Sequence, residues 1–212
     1  IPIRIGEAVL YHPDELIRWL DNQQAVNPMA RLLLESLDGE SEIILAIQSG
    51  RAIRFPEEKV RPTGRGAIGV GGIEVDDAND EVVGMICVNR EDTTRTVLVV
   101  SEKGYGKRTA VDEYRITNRG GKGVKTISVT DKTGPLVGML EVTEKEDLMI
   151  SCKSGITIRM KVNQISEQGR ATQGVKLIRV DEGDEIAAIT RMDEPDEEDA
   201  TEVPVEPSDV QE

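Results

Sequence analysis

The sequence predicts an all-β protein, a propeller-like array of about three four-stranded blades preceded by a remnant of a fourth. Three windows of 25 residues, beginning at residues 49, 103 and 154, align without a gap. Each window is preceded and followed by a short apolar run of strand length. The windows lie 54 and then 51 residues apart, close to the period of about 50 residues at which the longer blade-like repeats recur.

Taken in chain order, residues 1–42 fit the repeat least. Ile1–Ile5 resembles the end of a third strand, and residues around Val9–Pro13 read as an insertion. Asp14-Glu15-Leu16-Ile17 then echoes the fourth-strand openings Asp80-Glu81-Val82-Val83 and Asp184-Glu185-Ile186-Ala187. Within a connection over residues 21–42, Pro28–Leu37 has the spacing of a short amphipathic helix with Leu33 and Leu37 on one face. We assign 1–42 to a remnant of a preceding blade plus an insertion and linker. Ile1, standing where a chain would start with methionine, leads us to expect a fragment or a processed chain.

Blades are expected over 43–92, 93–145 and 146–192. The first strands are the apolar runs Ile43–Ile47, Val97–Val100 and Leu148–Cys152. A shared glycine (Gly50, Gly104, Gly155) follows each and suits the tight turn of a hairpin, because a positive φ costs glycine little. The second strand carries a shared arginine (Arg54, Arg108, Arg159), and the next loop carries another (Arg65, Arg119, Arg170). A third strand is expected at the shared Gly-Val of Gly69-Val70, Gly123-Val124 and Gly174-Val175, close to a shared isoleucine (Ile73, Ile127, Ile178). A polar turn such as Asp76-Asp77-Ala78-Asn79 leads to fourth strands at Val82–Val88, Leu136–Val142 and Ile186–Ile189. Residues 193–212 hold ten acids, three prolines and no base, the composition of a disordered acidic tail. That tail reads either as a solubilising end or as a regulator competing for a basic surface.

Composition excludes several functions. An apolar content of 38% can supply a core, and no apolar run approaches the roughly 20 residues of a membrane span. Cytoplasm is the expected compartment. Cys87 and Cys152 sit in strand-like apolar runs and read as buried reduced thiols. Gly64-Arg65-Gly66-Ala67-Ile68-Gly69 has the glycine spacing of a dinucleotide fingerprint but precedes the strand pattern Val70–Val75, not a helix. Gly120-Gly121-Lys122-Gly123 lacks the Ser or Thr of a phosphate-binding P-loop. The one histidine, His12, has no ligand cluster around it, and no nucleophile, base and acid set emerges. The residues predict neither catalysis nor a bound cofactor.

A formal charge of −14 argues against a polyanionic partner until the tail is set aside, which leaves −4. Cations then recur at fixed repeat positions. The candidate DNA contacts are Arg51, Arg54, Arg61 and Arg65 in the first repeat, Lys107, Arg108, Arg119, Lys122 and Lys125 in the second, and Arg159, Lys161, Arg170 and Lys176 in the third. Repeated on successive blades, they would form a stripe that neutralises phosphates of a bent duplex without reading sequence. The alternative is structural: arginine stems packed between blades, with guanidinium groups on loop carbonyls. With aromatic residues at 2%, stacking of unpaired bases is disfavoured and duplex backbone contact favoured.

The blade signatures resemble those of one family, the C-terminal domain of the DNA gyrase A protein. They are Ile53-Arg54-Phe55 with Val60-Arg61-Pro62-Thr63-Gly64-Arg65, then Gly104-Tyr105-Gly106-Lys107-Arg108-Thr109 with Glu113-Tyr114, then Gly169-Arg170-Ala171-Thr172-Gln173-Gly174-Val175. The resemblance implies the last three blades of a six-bladed β-pinwheel followed by an acidic tail. It also implies wrapping of double-stranded DNA in support of ATP-driven negative supercoiling by a bacterial type IIA topoisomerase. Partners would be the gyrase B protein and a second gyrase A protein, with ATP and Mg acting elsewhere in the holoenzyme and the nucleoid as location. This chain itself would be non-catalytic. Thr117-Asn118-Arg119-Gly120-Gly121-Lys122-Gly123 matches only the second half of the family's wrapping motif. Two other functions fit the residues: a domain like that of topoisomerase IV, which guides DNA without tight wrapping, and a protein-interaction scaffold.

Overall fold

The computed structural model describes residues 3–5, 8–10, 41–60, 70–75, 80–89, 91–92 and 94–192. Asp14–Ile17, Pro28–Leu37, His12, Arg61, Arg65 and the acidic tail lie outside them. All regular structure within them is β or short 3₁₀, as the apolar runs predict.

Near the start, β1 (Ile3–Ile5) and β2 (Ala8–Leu10) pair antiparallel, so part of the expected insertion at Val9 is strand. The first repeat supplies β3 (Glu42–Ile47), β4 (Arg51–Pro56) and β5 (Val82–Val88). The second supplies β6 (Thr96–Ser101), β7 (Tyr105–Ala110), β8 (Val124–Lys125) and β9 (Leu136–Val142). The third supplies β10 (Asp147–Cys152), β11 (Thr157–Lys161), β12 (Val175–Lys176) and β13 (Ile186–Met192). Each second strand runs into a 3₁₀ turn at Glu57–Lys59, Val111–Glu113 or Val162–Gln164.

The sequence places four strands within each repeat, whereas the structure shares them between repeats. The sheet orders are β5-β3-β4-β8, β9-β6-β7-β12 and β13-β10-β11. Each four-stranded sheet is therefore closed by the third strand of the following repeat: Val124 and Lys125 pair with Ala52 and Arg51, and Val175 and Lys176 with Gly106 and Tyr105. Val70–Val75 was expected as a strand but is irregular.

Buried faces follow from neighbours. In β6, Val97 and Val99 enter a core shared with Ile44, Ala46, Ile86 and Val88 of the first sheet. Leu98 and Val100, on the opposite face, enter a core shared with Leu148, Ile150 and Ile186 of the third. A strand buried on both faces reads as a continuous apolar run, and each such side chain contributes about 1.5–3 kcal/mol by burial. In β10, by contrast, Leu148, Ile150 and Cys152 are buried while Met149 and Ser151 are only partly so, the alternation of a sheet covered on one side. Cys87 and Cys152 are buried, and neither is in a disulfide among the described residues.

Candidate nucleic-acid interface

Residues shared by the repeats prove to join one repeat to the next. Gly50 and Gly104 have φ of 82° and 83°. Their carbonyls accept the amides of Thr126 and Ile127, and of Leu177 and Ile178, from the following repeat. Gly123 and Gly174, opening the exchanged strands, have φ of 66° and 79°. An added Cβ there would lie 2.3 Å from the Ala52 carbonyl oxygen or 2.6 Å from that of Gly106. Only glycine allows the exchanged strand to enter at that distance.

The second-strand arginines have the same logic. Arg54 is 6% exposed and Arg108 is 5% exposed. Arg54 Nη1 donates to the carbonyls of Val111 (2.8 Å) and Tyr114 (3.1 Å), and its Nε donates to the buried carboxylate of Glu42. Arg108 Nε donates to the Ile165 carbonyl (2.8 Å), and its Nη1 pairs with Glu144 at 3.1 Å. Both guanidinium groups therefore cap the 3₁₀ turn of the next repeat from inside. Among the described residues no turn of a following repeat meets Arg159, which pairs with Asp147 and lies on the surface.

Lys107 is also interior, with 0% of its surface exposed. Its Nζ donates to the carbonyls of Gly169 and Arg170, each 2.6 Å away, and to Thr172 Oγ1 at 3.1 Å. Burial, with the Arg170 charge nearby, lowers its pKa to about 8; at neutral pH the ammonium persists on its three acceptors. Tyr114 is a comparable anchor, its hydroxyl bonded to Thr126 and pushed up to about 12 by burial. Arg54, Lys107 and Arg108 thus leave the set of DNA contacts expected from sequence. Their charges are committed to carbonyls and carboxylates within the protein, out of reach of a phosphate at the surface.

The loop arginines are half-buried and staple backward. Arg119 donates from Nε to Lys59 O (2.9 Å) and from Nη1 to Gly71 O (3.0 Å). Arg170 makes the equivalent pair with Glu113 O (3.1 Å) and Lys125 O (3.0 Å). Arg51 donates to the carbonyls of Lys122 (2.7 Å) and Gly123 (3.1 Å), which fixes the entry of β8. The exposed candidates are Lys122, Lys125, Arg159, Lys161 and Lys176. Lys125 and Lys176 occupy one repeat position on the outer strands β8 and β12, directly across from Arg51 and Tyr105. Repeat alignment missed Lys132, an exposed cation near Tyr105, because it lies beyond the end of the aligned window.

The model of the family described as DNA gyrase C-terminal domain, beta-propeller, matches residues 42–89, 95–143 and 146–191. A DNA gyrase A protein from Staphylococcus aureus (strain NCTC 8325 / PS 47) is 45% identical over 163 residues, covering 77% of this chain and 18% of that protein. The same protein of strain MRSA252 is 45% identical over 156 residues, covering 74% and 17%. The chain thus spans less than a fifth of the curated relatives it matches. Among solved structures, a DNA gyrase A C-terminal domain superposes with a TM-score of 0.64 at 27% identity, covering 72% of this chain and 50% of that one. The C-terminal domain of DNA topoisomerase IV superposes at 0.68 and 19% identity, covering 75% and 49%, which shows a common fold.

Proposed function

Because the chain belongs to the DNA gyrase C-terminal domain, beta-propeller, family, we propose that it binds the backbone of duplex DNA along the outer edges of successive sheets. In the parent protein it would hold a wrapped segment for negative supercoiling. The observation that carries this reading is the repeated placement of Lys125 and Lys176 on β8 and β12, at one register position of two adjacent sheets. Cations repeated at equivalent places suit a regular polyanion and read no bases. Scarcity of aromatic residues favours duplex over single strands.

The gyrase B protein and a second gyrase A protein are the proposed holoenzyme partners, in the bacterial cytoplasm. ATP and Mg would act on other parts of that assembly. Among the described residues, no three His, Cys, Asp or Glu side chains gather to hold a metal, and no helix is long and apolar enough to cross a membrane.

Ligation of nicked circular DNA in the presence of the chain tests the reading. Binding whose log affinity falls linearly with log salt, together with a shift in linking number, is the expected result. Salt-dependent binding without a shift would instead support a guiding role of the topoisomerase IV type. Binding with no salt dependence would remove phosphate contact altogether.

A further inference from the structure

We propose that residues 199–205, outside the described residues, add to the open edge of β11 as an antiparallel strand and complete the third sheet. Among the described residues β11 has one neighbour, β10, whereas β4 and β7 each have a second in β8 or β12. The receiving edge is nonetheless built. Gly155 has the positive φ of Gly50 and Gly104. A Cβ added at Gly50 or Gly104 would meet the Ile127 or Ile178 carbonyl oxygen at 2.8 Å or 2.6 Å, and at Gly155 it meets nothing within 4 Å. Ile156 is 49% exposed, and Thr157 and Arg159 beside it are exposed as well.

Backbone direction defines what this edge offers. Cys152 donates its amide to the Ile156 carbonyl across the β10–β11 hairpin, so the backbone groups of Thr157 and Arg159 point away from β10. At the equivalent place in β7, the amide and carbonyl of Arg108 bond Ser166 and Gln168, and Gly104 O accepts the amides of Leu177 and Ile178. Among the described residues nothing takes these places along β11. An exposed row of backbone donors and acceptors is a template for one more strand.

The chain's own continuation fits the edge in length, direction, pattern and charge. Asp147 of β10 is paired with both Met192 and Lys161, so the chain leaves β13 at the Lys161 end of β11. The new strand lies three strand spacings away, about 14 Å, and residues 193–198 reach about 20 Å when extended. Turning back there gives the antiparallel sense of β8 and β12. Val203-Pro204-Val205 then takes the place of Val124-Lys125-Thr126 and Val175-Lys176-Leu177. In that register Val203 lies across from Thr157, Pro204 covers Ile156, and the Val205 amide meets Gly155 O. Pro204 falls where the backbone nitrogen faces outward, the position an edge strand tolerates. Asp199 falls across from Lys161, which is exposed beside an Asp147 already paired with Arg159. Ten acids and no base in residues 193–212 suit an edge carrying Arg159 and Lys161.

Amide hydrogen exchange of the full chain tests the pairing. Deleting residues 193–212 is expected to raise exchange at Thr157 and Arg159 by about tenfold and to leave Ile158, whose amide faces β10, unchanged. Val203→Pro, which keeps the chain at full length and removes the amide facing Thr157 O, should have the same effect. Lys161→Glu should lower the protection about threefold, and Asp199→Lys in the same chain should restore it. Equal exchange at Thr157 and Arg159 with and without residues 193–212 overturns the proposal. So does a double variant no better protected than Lys161→Glu alone. Protection that grows with chain concentration overturns it in favour of a strand from a second copy.

Discussion

Arg108 Nε donates to the carbonyl of Ile165 across 2.8 Å, from the second strand of one repeat to the end of the 3₁₀ turn in the next. The amide of Arg108 also donates to Ser166 O, and its carbonyl accepts the Gln168 amide. Its counterpart Arg159 has a side chain 44% exposed and one carboxylate partner. Position in the repeat is identical; among the described residues only Arg108 lies against the turn of a following repeat.

Arg108→Ala is therefore expected to destabilise the chain by about 2–4 kcal/mol, through lost packing and a stranded buried carbonyl. Arg159→Ala should cost about 1 kcal/mol or less, as for exposed pairs. Urea unfolding of the two variants checks the contrast. Equal costs would show that the clamp between repeats contributes little.

Gly123 and Gly155 separate backbone strain from steric exclusion. Both have positive φ, 66° and 90°, but an added Cβ at Gly155 meets nothing within 4 Å, while at Gly123 it meets the Ala52 backbone. Gly155→Ala should cost about 1 kcal/mol from strain alone. Gly123→Ala should cost more than about 2 kcal/mol and expose the amide of Thr126, bonded to Gly50 O. Hydrogen exchange at Thr126 reads whether the exchanged strand has detached.

Lys122 and Lys125 are exposed, whereas Lys107 is interior. Replacing Lys122 and Lys125 together by Ala should lower the salt slope of duplex binding by up to about 1.8, with no change in melting. Lys107→Ala should do the reverse, lowering melting and leaving the slope of the folded chain unchanged. Titrations at two salt concentrations, with a melting curve for each variant, distinguish them.

Glu141, on β9, is buried beside Arg95, and burial pushes its carboxyl up to about 7. Its usual value is 4.5. Between the two values the folded chain keeps a proton that the unfolded chain has lost, so this group's contribution to stability is full below about 4.5. It declines as pH rises to about 7, by up to about 3 kcal/mol. Subtracting the Glu141→Gln profile from that of the wild type should isolate this slope in urea midpoints between pH 5 and pH 8. A flat difference would remove Glu141 as its source.

The strands were legible because burial on both faces demands continuous apolar runs: Ile43–Ile47 and Val97–Val100 can hardly be anything but central strands. The hairpin glycines were legible for their φ. Strand exchange was not, since β8 and β12 are only two residues long, and a Gly-Val pair does not say which sheet it joins. Nor could charge pattern separate Lys107 from Lys125. Lys107 stands where the other repeats have Ile53 and Ile158, and that apolar equivalence was the available sign of an interior position.

By itself the sequence determined the repeat, its strands and turns, and the residues in which coupling between units is concentrated, because local periodicity and glycine conformation act over a few neighbouring residues. Tertiary structure decided what the repeated cations do. Once each third strand crosses to the preceding sheet, the second-strand arginines lie under the next repeat's turn and satisfy its carbonyls. Desolvation then ties those charges to internal acceptors, and the lysines left on the outer strands are the ones that reach solvent.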